Sequence, residues 1–196
     1  MSTKHEITRN DILAMDVFAR ERKARRARMT ALKRHRRLAI GPDATLHFES
    51  YDTMWWQIHE MLFIEKGGEA QIADELAAYN PLVPKGAELV ATLMFEIDDP
   101  ARREALLGRL GGVEHRVGIQ VDGETVYGNP EGDVARSTTE GRTSSVHFLH
   151  FPFTAERIAA FRRPGARVVV AIEHPEYGHM AVMPEAVRAA LAEDFD

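Results

Sequence analysis

Residues 44–65, ATLHFESYDTMWWQIHEMLFIE, dictate more of the architecture than any other stretch of the sequence. Thr45 to Ser50 alternates as a half-buried strand does, with Leu46 and Phe48 on one side and Thr45, His47 and Glu49 on the other. Tyr51-Asp52-Thr53 then opens a helix, capped by Asp52 or Thr53. At about 100° per residue, Met54, Trp55, Ile58, Met61 and Leu62 form one apolar arc, and Trp56 with Phe63 a second. Such a helix has to be packed from two sides. Thr53, Gln57 and Glu60 run between the arcs as a polar stripe flanked by large apolar neighbours. A carboxylate held there pairs with an Arg or Lys, shifts its pKa upward, or binds a ligand or metal, because an unpaired buried charge is costly. The plainer alternative is a Glu60 that is salt-bridged or reaches water at the helix edge.

At 196 residues, the chain reads as one domain of ordinary size with an appended arm. No apolar run approaches the roughly 18 residues of a membrane span, and the opening MSTKHEITRN has no apolar signal core, so a cytoplasmic protein is expected. The sequence has no cysteine, which excludes disulfides, thiolate nucleophiles and Cys-type zinc or iron–sulfur ligation within it. Charge is unevenly spread. Between Arg20 and Arg37 lie ten Lys or Arg and one acid, Glu21, which leaves 15 basic and 29 acidic residues elsewhere. A basic arm over residues 1–37 therefore precedes a single acidic domain over residues 38–196. The arm reads as a helix from Asp11 to about Arg34 whose apolar positions thin out after Phe18. It lacks the interleaved aromatics that stack bases, so nucleic acid is not the expected partner; the cations pair with the protein's own acidic body or with a second subunit. Too few apolar positions remain to hold a long helix to its own body, and the sequence on that ground predicts a two-fold homodimer.

Farther along, Arg37 to Ile40 forms a hairpin with the central strand through Gly41-Pro42-Asp43. A second helix spans Glu69 to Tyr79, closed by Asn80 and a rigid proline loop. Glu88 to Ile97 is the clearest strand. A helix follows Asp99-Pro100, and Val113 to Val121 alternates as a strand with His115 on the side of Val117, predicted as a packed core-edge histidine. Asp122-Gly123 turns into Glu124 to Tyr127, and Asn129 to Gly141 is a charged loop ending at Arg142. Strand Thr143 to Phe153, helix Ala155 to Arg162, a last hairpin around His174 to Gly178 and a terminal helix from Pro184 complete the chain. The fold class is α+β: a largely antiparallel sheet, helices mainly on one face, and the basic N-terminal helical arm.

Nine histidines without cysteine raise the question of a metal. His147 and His150, three apart on a strand, point to opposite faces, and Glu176-x-x-His179 lies in a Pro/Gly turn where that spacing loses its helical meaning. His47, Glu49, His59 and Glu60 could supply a His/carboxylate set, but neighbouring helix positions reach one ion awkwardly. No metal and no cofactor is assigned. The sequence carries no nucleotide loop, nucleophile elbow or dinucleotide fingerprint.

LAIGPDATLHFESYDT at 38–53, QIHEML at 57–62, YNPLVP at 79–84 with ELVATL at 88–93, and RTSSV at 142–146 together resemble the bacterial domain-of-unknown-function family 3501. The resemblance implies one uncharacterised domain, often encoded beside a rubrerythrin-like protein and an iron–sulfur oxidoreductase of the heterodisulfide reductase type. It carries over no catalytic residue, and its pattern does not require histidine at 47, 59, 147 or 150. Glu49, Gln57, Glu60, Asn80 and Arg142 fall inside the matching blocks and are the candidate ligand-binding residues. The leading expectation is an accessory or interaction protein for that redox system. The second is an enzyme or small-ligand binder with a pocket around Glu49, Gln57, Glu60 and Arg142. A flat apolar patch would favour the first, a concave pocket where those groups converge the second.

Overall fold

The computed structural model describes residues 4–132, 137 and 141–196. Alternation in the sequence becomes two antiparallel sheets. The first takes β1 (Arg37–Ile40), β2 (Ala44–Phe48), β3 (Glu88–Phe95), β6 (Asn129–Pro130) and β7 (Val146–Pro152), in the order β1-β2-β3-β7-β6. The second takes β4 (Val117–Val121), β5 (Glu124–Tyr127), β8 (Val168–His174) and β9 (Tyr177–Val182), in the order β5-β4-β8-β9. The antiparallel α+β class read from the sequence is therefore the fold, with its strands divided between two sheets.

The sheets bury their facing sides in one core. Leu38, Leu46, Phe48, Leu89, Leu93 and Phe151 come from the first, and Val117, Ile119, Val168, Val170 and Ile172 from the second. β1 and β9 lie side by side at the seam. There the Tyr177 hydroxyl accepts from the backbone N–H of Asp43 (2.9 Å) and Ala44 (3.0 Å) and donates to Ile40 O (2.9 Å). The turn beneath it needs Gly41, whose φ is +71° and where a Cβ would sit 2.5 Å from the His179 ring.

The outer side of the first sheet carries α1 (Met15–Lys33), α2 (Tyr51–Glu65) and α3 (Glu69–Tyr79), which share a second apolar cluster with Val90 and Phe148. Helices α4 (Pro100–Leu107), α5 (Ala155–Arg162) and α6 (Glu185–Ala192) complete the set. Among the described residues no helix is long and apolar enough to cross a membrane.

Two readings are corrected here. The stretch after Gly111-Gly112 does not start a strand at Val113: Val113–His115 is a 3₁₀ turn and β4 begins at Val117. The turn rotates His115 into solvent and buries Glu114 in its place. The N-terminal helix, expected to lack support from its own body, is held by it. Phe18 is fully buried and meets Trp56 (centroids 5.5 Å), His59 (5.0 Å) and Phe63 (6.0 Å), all on α2. Ile7 and Ile12 join the same cluster. The clasp is intramolecular.

Candidate functional site

Ser50 caps α2 by accepting from the Thr53 backbone N–H, while Thr53 Oγ1 accepts from Ser50 N–H (2.8 Å), a reciprocal box that fixes the strand-to-helix corner. That corner seats Glu49 between helix and sheet. Its buried carboxylate accepts from the hydroxyls of Thr53 and Thr92, each at 2.7 Å. One turn and more along α2, Gln57 is half-buried. Glu60 accepts from Arg22 Nε (2.7 Å) and Nη2 (2.8 Å) of α1, and from Arg26 at 3.3 Å. The Arg22 hydrogen bonds hold the Glu60 carboxyl below its ordinary pKa. Glu60 is thus the salt-bridged helix-edge residue of the plainer reading.

The other candidates stand apart. Asn80 clasps the N-terminal segment through both amide atoms, Oδ1 accepting from Ile7 N–H and Nδ2 donating to Ile7 O, each at 2.8 Å. Arg142 is exposed beyond the Val146 end of β7, which pairs with Met94, whereas Glu49 lies by Val90 at the opposite end of β3. The structure places Glu49 at the corner before α2 and Glu60 near the other end of that helix, in separate environments, and does not gather the five residues into one pocket.

Of the histidines of the metal question, His59, His147 and His150 have their own protein partners, whereas His47 Nε2 is buried, makes no hydrogen bond among the described residues and lies 3.9 Å from a Glu96 carboxylate oxygen. Leu13 N–H donates to His59 Nε2 (3.1 Å), so Nδ1 carries the proton and donates to Trp55 O (2.7 Å). Burial pushes this imidazole down to about 4. His147 is buried with its Nε2 at 3.0 Å from Thr143 Oγ1 and 2.9 Å from Ser144 O. His150 bridges Glu88 (3.0 Å) and Glu131 (2.8 Å), and the Glu88 hydrogen bond raises its pKa. Among the described residues no three His, Asp or Glu converge as a group that could hold a metal ion.

Two features were not legible as sites. The first is a trough along α1 and the start of α2, made of two cavities that share Leu32 and Asp52. One, of about 210 Å³, reaches Arg36 and Asp194, a buried ion pair in which burial pushes the Asp194 carboxyl up and Arg36 draws it back. The other, of about 270 Å³, lies between Arg25, Arg28 and Met29 of α1 and both tryptophans of α2. A sequence signal existed: 25, 28, 29 and 32 share one helix face. The second feature is the outer face of the second sheet. Cross-strand register puts Met180, Ala171, Gly118 and Tyr127 in one row and Val182, Val169, Gln120 and Thr125 in the next. Met180, Val182 and Tyr127 are 60%, 57% and 49% exposed, so this side of the sandwich presents apolar groups to water.

The comparisons agree with the continuous match along the chain. The family model described as Protein of unknown function (DUF3501) matches residues 6–195. The fold is similar to a crystal structure of a novel protein of unknown function from Burkholderia pseudomallei K96243, at 40% sequence identity and a TM-score of 0.89, covering 97% of this chain and 99% of that one. No curated protein matches.

Proposed function

We propose that this chain, which belongs to the family Protein of unknown function (DUF3501), is an accessory interaction protein that docks partners on the outer face of its second sheet. The observation that carries the reading is the exposure of Tyr127, Met180 and Val182 on one face, along its two edge strands on either side of the buried Ala171 and Gly118. Size then decides the kind of partner. Four strands about 4.8 Å apart, read over about five residues at roughly 3.3 Å each, give a face of roughly 250 Å². A stable complex buries about 800 Å² on each side, whereas electron-transfer encounters sit at the small end of the range. A face of this area therefore suits brief docking.

The partners proposed are those implied by the family resemblance, a rubrerythrin-like protein and an iron–sulfur oxidoreductase, met in the cytoplasm. The chain has no cysteine and so brings no thiol chemistry of its own. Its part is to position. Glu173, which accepts from the Tyr127 hydroxyl at 3.0 Å, supplies a charged rim beside the apolar rows and orients the approach.

Calorimetric titration of the purified protein with each purified partner tests the reading. Binding is expected for at least one of them, and a Met180→Asp/Val182→Asp variant, folded by circular dichroism, is expected to bind at least tenfold more weakly. Equal binding by the variant, or none by either partner, would overturn it.

A further inference from the structure

We infer that α1 and α3 are the two halves of a self-complementary surface through which a second copy of this chain docks on the first as a salt-sensitive two-fold dimer. The support that α1 needs comes from its own body, yet much of its charge finds no partner there. Lys23, Arg28, Lys33 and Arg34 are exposed and form no ion pair among the described residues, whereas Arg22 and Arg26 are held by Glu60 and Arg25 by Glu21. At about 100° per residue, Lys23, Ala27, Ala31 and Arg34 share the side of α1 turned away from the buried Phe18. The opposite charge lies on α3. Residues 67–84 contain Glu69, Asp74 and Glu75 and no Lys or Arg. Asp74 is exposed and has no ion pair among the described residues, and Ala70, Asp74 and Ala77 share the side turned away from the buried Ile72. Glu75 and the nearby Glu65 accept from the uncharged amide of Gln71, each at 2.7 Å, so their charge is not neutralised; Glu69 is held by Arg9 at 2.6 Å.

A second copy is the occupant that answers both strips at once. Setting α1 against α1 would oppose cations to cations. A nucleic acid would leave the acidic strip unanswered and would approach a molecule of net charge −5. The two strips also flank one helix. On α2, Trp56 and Phe63 meet Phe18 of α1, while Met54, Ile58 and Leu62 share a cluster with Ile72 of α3, and these two sides of α2 lie about half a turn apart. A two-fold axis lying over α2 exchanges the flanks, so α1 of each copy meets α3 of the other and the contact closes at two copies. The alanines in the two rows let the paired helices approach toward the near end of the roughly 8–10 Å interaxial range. Size sets the strength. The 11 residues of α3 make a strip about 16 Å long and about 10 Å wide, and two such strips give roughly 300 Å² per copy against about 800 Å² for a stable complex. The dimer is therefore weak, and charge rather than apolar area holds it. These helices cover the first sheet, so the contact is separate from the face of the second sheet proposed for docking and stands or falls independently of that reading.

Sedimentation equilibrium of the full chain tests the pairing. A reversible monomer–dimer equilibrium is expected, with a dissociation constant of about 10–100 μM at about 50 mM sodium chloride and at least tenfold weaker at about 500 mM. Two variants, each checked for folding by circular dichroism, dissect it. Lys23→Glu/Arg34→Glu sets acid against the acidic strip, Asp74→Lys/Glu75→Lys sets base against the basic one, and each alone is expected to be monomeric. Mixed one to one, they are expected to form a heterodimer, because one contact is then native and the other reversed in sign on both sides. A parent that stays monomeric at low salt, a dimer indifferent to salt or to either variant, or a mixture that does not associate would overturn the proposal. So would saturable binding of a duplex DNA by the parent, followed by fluorescence anisotropy and lost in Lys23→Glu/Arg34→Glu, since the free cations would then belong to phosphates.

Discussion

The outer face of the first sheet and the outer face of the second are made of similar residues and finished differently. Val90, Thr92 and Phe148 lie under a layer of helices, whereas Val169, Met180 and Val182 meet solvent. Covering a face makes partners for the polar groups beneath it valuable, and most of them find one, His47 Nε2 being an exception. Glu49 has its two hydroxyl donors, His59 has a backbone donor and a backbone acceptor, and Glu60 has its arginine fork. The bare face has few such obligations, and its apolar rows remain free for recognition. Stability is concentrated on one exterior, and the docking of other proteins proposed above belongs to the other.

The sharpest way to break this contrast is to empty the clasp. Phe18→Ala removes the ring on which α1 meets α2, and a loss of about 3–5 kcal/mol is expected for a buried phenylalanine. Chemical denaturation measures it; a loss below about 1 kcal/mol would mean that α1 adds little to the covered side.

Next in size is a pH effect confined to that side. His59 in the folded chain titrates at about 4 against an ordinary 6.5, so between those values the unfolded chain binds more protons than the folded one. Stability from this group is present above about pH 6.5 and is lost as pH falls toward 4. The full drop is about 3 kcal/mol. Denaturation midpoints at pH 7, 5.5 and 4.5 should show the decline, and His59→Gln should flatten it. An unchanged slope in the variant would place the dependence elsewhere.

The smallest effect belongs to the open face. Met180→Ala should change stability by no more than about 0.5 kcal/mol, since an exposed side chain leaves no cavity behind. A larger loss in the same denaturation assay would show that Met180 is part of the core after all.

Much of the covered exterior could be read from the chain. The alternation of Leu46 and Phe48 against His47 and Glu49 gave the two sides of β2, and the charge of the arm anticipated a basic partner for Glu60. The division into two sheets was hidden because alternation tells which residues face inward, not which sheet they meet. His115 was misplaced because a single 3₁₀ turn changes the period without altering composition. Arg142 was grouped with Glu49 because both fall inside the blocks that resemble the family. The distance between opposite ends of β3 is a tertiary fact that no local pattern carries.

The Tyr177 hydroxyl, bonded to three backbone groups of the β1–β2 turn, has a consequence for solubility. β1 and β9 are the outermost strands of their sheets, and each has an unpaired flank that could template another chain. Fastened side by side, they shield one another, so a single phenol acts as a catch on a seam that would otherwise offer two sticky margins. Loosening it would favour fibrous or amorphous self-association well before the core itself gives way.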